Sequence, residues 1–106
     1  MREDVVVARY TAPPPPRLGT AAALRVRRAG TSVVLTWRPG ANAAAQRLVV
    51  RVPGGPLVSR LLGGRAGRAA VAGIDGRRLT AAVTAVGRDG RAGRAARVAL
   101  APARTR

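Results

Sequence analysis

The stretch Thr31-Ser32-Val33-Val34-Leu35-Thr36-Trp37-Arg38-Pro39 decides how the rest of the chain is read. Val33, Leu35 and Trp37 alternate with Ser32, Val34, Thr36 and Arg38, which is the period of a strand with one buried face. Trp37 is the only tryptophan and there is no phenylalanine, so this indole is the largest single burial on offer. The run is rich in β-branched residues and sits between Ala29-Gly30 and Pro39-Gly40, both turn signals. It reads as a central strand of a small β-sandwich.

Working outward, Leu24 and Val26 alternate with Arg25 and Arg27 to make a preceding strand, with a turn at residues 28–31. A connection at 38–45 leads to a strand over 46–52. There Leu48, Val50 and Val52 face inward, because the opposite register would bury Arg47 and Arg51. Pro53-Gly54-Gly55-Pro56 turns the chain into a short strand over 57–62. A loop at 63–68 precedes a strand over 69–74, and Asp75-Gly76-Arg77-Arg78 turns again. Leu79, Ala81, Val83 and Ala85 mark the inward face of a strand over 79–86. After a loop at 87–95, Ala96, Val98 and Leu100 form the last strand. Seven short alternating strands predict an all-β, antiparallel immunoglobulin-like sandwich. Its expected core is Val33, Leu35, Trp37, Leu48, Val50, Ile74, Leu79, Val83 and Val98.

Four segments follow. Residues 1–11 are an N-terminal arm with a short strand expected over 5–10. Residues 12–17 hold Pro13 to Pro16, a stiff polyproline spacer that cannot enter a sheet interior. Residues 18–101 are the sandwich, and 102–106 a basic tail.

The totals narrow the function classes. A chain of 106 residues is one domain with a modest core, since much of its 47% apolar content is alanine. No cysteine or histidine is present, which excludes disulfides, thiolate chemistry and zinc sites. The net charge is +16, from 20 basic and 4 acidic residues, and every basic residue is arginine. Arginine, alanine, glycine and proline in such excess point to a GC-rich, bacterial coding genome. Whatever its origin, a field of this sign attracts anionic polymers.

No run approaches the ~20 apolar residues of a membrane span. Glu3, Asp4 and only three valines make the N-terminus unlike a signal peptide. The sequence leaves the compartment unknown: with Met1 as the native start the expectation is cytoplasmic, and excision from a longer chain leaves an extracytoplasmic location open.

Catalytic chemistry finds little support. Ser32 and Ser59 have no histidine or lysine to activate them, and Asp75 and Asp89 fall in loops at opposite ends of such a sandwich. No phosphate-binding glycine motif occurs. The expectation is a non-enzyme without cofactor or metal.

The ordered set resembles a fibronectin type III domain over about residues 18–101. It is carried by Leu24 and Val26, Val33-x-Leu35-x-Trp37, Leu48-x-Val50, Ala72-Gly73-Ile74 and Leu79-x-x-x-Val83-x-Ala85-Val86. Ala85-Val86-Gly87-Arg88-Asp89-Gly90 is similar to that family's exit from its sixth strand. Two positions depart from the pattern, since Leu79 and Leu48 stand where the family usually has tyrosines. Without the tyrosine hydroxyl, Leu79 is expected to hold its corner by packing against Ile74 alone. The resemblance implies a non-catalytic interaction or spacer module, with a protein partner or neighbouring domain.

The heptapeptide Gly-Arg-Ala-Gly-Arg-Ala-Ala occurs twice, at residues 64–70 and 90–96. It is either a product of codon bias or a functional repeat. In the sandwich, both copies fall at one end with the 38–45 connection, gathering Arg38, Arg65, Arg68, Arg88, Arg91 and Arg94. Glycine is expected to make these loops flexible, and arginine to supply bidentate geometry for carboxylate or phosphate. An anionic polymer, either nucleic acid backbone or acidic polysaccharide, is the alternative partner. With no exposed aromatic platform, such binding would be sequence-indifferent and salt-sensitive. A third reading is a structural subunit of an assembly, in which residues 5–10 add a strand to a neighbour.

Overall fold

A computed structural model describes residues 17–103. The expected strand over 5–10 and the tetraproline lie outside the described residues. Seven strands follow one another: β1 (Ala22–Ala29), β2 (Ser32–Arg38), β3 (Ala45–Arg51), β4 (Leu57–Gly63), β5 (Arg68–Val71), β6 (Leu79–Val86) and β7 (Ala92–Leu100). They form two antiparallel sheets, one ordered β1-β2-β5 and the other β4-β3-β6-β7. The described residues contain no helix, so none is long and apolar enough to cross a membrane.

Alternation in β2 produces the layering. Val33 and Leu35 are fully buried and Trp37 is 6% exposed, while Thr36 and Arg38 face water. From the facing sheet, Leu48 and Val50 of β3 and Leu79, Ala81 and Val83 of β6 close on them. Leu48 pairs with Val83 and Val50 with Ala81, so the inward columns of adjacent strands lie side by side. Each fully buried Val, Leu or Ile contributes about 1.5–3 kcal/mol of transfer free energy. Val98 is half-buried against this cluster from edge strand β7.

Several strand ends shift by one or two residues, β1 running on through the expected turn to Ala29, and two ends shift further. β5 stops at Val71 rather than Ile74, because Gly73 (φ 80°) and Asp75 (φ 54°) turn the backbone left-handed. Ile74 nonetheless stays in the core, its amide donating to Thr31 O at 2.9 Å. β7 begins at Ala92 rather than Ala96, which shortens the preceding loop to residues 87–91. Small Ala and Gly residues give no side-chain signal for a strand, yet their backbones pair with β6 through a bulge.

Two arginines close the sides of the sandwich. Arg28, half-buried on edge strand β1, reaches across to the other sheet and donates to Arg77 O at 2.8 Å and Ala101 O at 2.5 Å. Arg60, on edge strand β4 opposite Leu48, donates to Ala70 O on β5 at 2.8 Å. Both stand on the inward column of an edge strand, where a charge also discourages pairing with another chain. The corner at Leu79 is therefore not held by packing against Ile74 alone. Arg28 ties its turn, and Ala103 N donates to Gly76 O at 2.8 Å.

Candidate functional site

The loop end expected to gather arginines is built from the β2–β3, β4–β5 and β6–β7 connections. β3 sets their common level: Ala45 pairs with Gly63 of β4 and with Val86 of β6. The leading segment lies across them, with Gly19 N donating to Ala41 O at 2.9 Å and Asn42 Nδ2 to Arg17 O at 2.8 Å.

Around the first heptapeptide copy the backbone packs closely, against the expectation that glycine makes the loop flexible. A Cβ on Gly64 would lie 2.1 Å from Ala43 O, and one on Gly67 would lie 2.7 Å from Trp37 O. In the first heptapeptide copy, glycine thus permits backbone to approach backbone. Gln46 adds a buried tie, its Nε2 donating to Gly64 O at 2.9 Å. Gln46 is fully buried and its Oε1 has no hydrogen-bond partner. Strand parity with Leu48 and Val50 was the signal that could have placed this residue inside.

Between the loops lies a cavity of about 450 Å³ lined by Leu18, Asn42, Ala43, Ala44, Gly87, Arg88, Asp89 and Arg91. Asp89 Oδ1 accepts from the Arg91 amide at 3.0 Å, and Gly87 N donates to Arg91 O at 2.8 Å, so the β6–β7 loop is internally bonded. The side chain of Asp89 thereby shapes the loop.

The structure divides the six arginines. Arg88 and Arg91 line the cavity, and Arg65 stands in the β4–β5 turn. Arg38 ends β2 and Arg68 begins β5, both on the outer column of the three-stranded sheet. Arg94 lies within β7, inside the bulged stretch opposite β6. The second heptapeptide copy is thus mainly strand, and its likeness to the first does not extend to structure.

No group of three metal-ligating side chains occurs among the described residues. Asp75 sits beside the β1–β2 turn, its amide donating to Thr31 O at 3.2 Å, at the end opposite Asp89.

Two facing sheets of three and four antiparallel strands in this order are the fibronectin type III fold. No family model matches the sequence, and no curated protein matches it. Solved structures do. An FN3 domain of human collagen XX is 18% identical, covers 85% of this chain and 100% of its own, and superposes with a TM-score of 0.63. A two-domain fibronectin type III segment of chicken tenascin is 13% identical over 80% of this chain and 50% of its own, with a TM-score of 0.70. A computationally redesigned β-sandwich protein is 10% identical over 79% of this chain and 94% of its own, with a TM-score of 0.69. At these identities the likeness is one of fold.

Proposed function

We propose that this chain is a non-catalytic spacer and interaction module whose arginine-bearing loop end contacts an acidic protein partner or neighbouring domain. The observation that carries the spacer reading is that the segments flanking the first and last strands are bonded at opposite ends of the sandwich. Gly19 is bonded to the β2–β3 loop at one end, and Ala103 to the β5–β6 turn at the other. Strands of seven to nine residues separate the two ends by roughly 25–30 Å at the usual rise. A module traversed end to end keeps what lies on either side apart.

Braced loops around a cavity with two arginines support the contact reading, since rigid concave ends lose little entropy on binding. Titrating the isotope-labelled protein with a glutamate-rich peptide tests it by amide chemical shifts. Perturbations confined to residues 39–44, 64–67 and 87–91 are expected. Uniform or absent perturbation at moderate salt refutes the contact surface. An anionic polymer is the second reading, and a different surface favours it.

A further inference from the structure

The outer face of the β1-β2-β5 sheet carries four arginines in a regular array. In β2, Val33, Leu35 and Trp37 point into the core, so Val34, Thr36 and Arg38 belong to the outer column. Arg25 of β1 and Arg68 of β5 both pair with Thr36, one on each side. Arg27 of β1 pairs with Val34, whose other neighbour is Ala70. Strand spacing places Arg25 and Arg68 about 10 Å apart, and Arg27 follows Arg25 by about 7 Å. All four arginines are exposed. None of their guanidiniums is hydrogen-bonded or ion-paired to another described residue. The two described carboxylates, Asp75 and Asp89, stand in connections outside this face.

We infer that this face binds the phosphodiester backbone of duplex nucleic acid, with β1 and the Arg38–Arg68 side meeting two rows of phosphates. The chemistry of the face selects that ligand. Between the guanidiniums the floor is Thr36, Ala70 and the buried Val34, so nothing protrudes to enter a groove or wedge between bases. No aromatic ring is present on which an unpaired base or a sugar ring could stack, which disfavours single strands and polysaccharides. An acidic protein would need an apolar contact centre, and the face lacks one. A duplex keeps its bases stacked and offers rows of phosphates, for which the guanidinium fork is the matching donor. The surface is separate from the loop-end cavity, so either can fail alone.

The test uses a fluorescently labelled duplex of mixed sequence and anisotropy over a range of salt. Four phosphate contacts predict a slope of log Kobs against log salt near −3.6, at about −0.9 per contact. Arg25→Thr with Arg27→Thr should reduce the slope by about 1.8 and weaken binding roughly 10- to 60-fold near 0.1 M salt. Arg65→Ser with Arg88→Ser, and Arg47→Thr with Arg51→Thr on the other sheet, remove the same charge and should each cost less than about threefold. Unchanged Trp37 emission in every variant establishes that the fold is kept. Equal losses in all three pairs would show a response to net charge only and overturn the assignment. So would no binding at low salt, or tighter binding of a sulfated polysaccharide at matched salt.

Discussion

Arg28 is the residue whose replacement most directly tests how the two sheets are joined. Its guanidinium crosses from β1 to bond Arg77 O at 2.8 Å and Ala101 O at 2.5 Å, tying the β5–β6 turn to the end of β7. A hydrogen bond from a charged donor contributes about 1.5–3 kcal/mol when buried and 0.5–1.5 in ordinary settings. These carbonyls are open to water, which replaces a lost donor, so about 0.5–1 kcal/mol, the bottom of the lower range, applies to each. Arg28→Met keeps the aliphatic stem and should cost roughly 1–2 kcal/mol in total. In a domain of this size that is a fall in Tm of roughly 5–15 °C. Removing a positive charge from a chain of net charge +16 acts the other way, by relieving repulsion. Arg27→Met, on the outward column next door, removes the same charge without the bonds and is the reference. Urea unfolding followed by Trp37 emission provides the assay, because guanidinium chloride would screen the charges under comparison. Arg28→Lys should fall between the two, since an ammonium cannot span both carbonyls with a planar fork. If Arg28→Met unfolds within about 0.5 kcal/mol of Arg27→Met, the tie carries no stability and the reasoning fails.

Other substitutions probe the core and the loop end. Gly64→Ala would force a Cβ to 2.1 Å from Ala43 O, so the two connections must separate; a loss of roughly 1–3 kcal/mol is expected in thermal unfolding, and a neutral result would show that the loops yield freely. Gln46→Glu places a carboxyl at a fully buried position facing Gly64 O. Burial raises the folded pKa above the unfolded ~4.3, so this variant should approach wild-type stability at acid pH and lose it as pH rises through the folded value. A stability difference from wild type that does not vary between pH 4 and 8 would contradict that placement. Trp37→Phe removes an Nε1–H that is buried without a partner; its cost should stay well below the ~3–5 kcal/mol of Trp37→Ala, as measured by urea unfolding with circular dichroism. Phe as damaging as Ala would mean that the indole shape, not its apolar area, holds the centre.

The succession of strands along the chain and their inward columns were legible because alternation is a local property. In Val33-x-Leu35-x-Trp37 and Leu48-x-Val50, each side chain's face follows from its neighbours two residues away. The breaks were less legible. Ile74 remains in the core after its strand has ended because two left-handed residues redirect the backbone, and no side-chain pattern marks where pairing stops. Residues 92–95 pair as strand although Ala-Gly-Arg-Ala has no alternation, because pairing there is carried by main-chain groups.

Composition and period thus sufficed for the all-β sandwich, the identity of its main inward residues and the excess of arginine over acid. Only the folded chain sorts those arginines by task. Arg28 and Arg60 turn inward at sheet edges and bond carbonyls of the opposite sheet, Arg88 and Arg91 line the loop-end cavity, and Arg25, Arg27, Arg38 and Arg68 share one outer face. The reason is that a guanidinium's surroundings are set by residues far along the chain. Arg28 meets Ala101 across 73 positions, a distance over which no local pattern carries information.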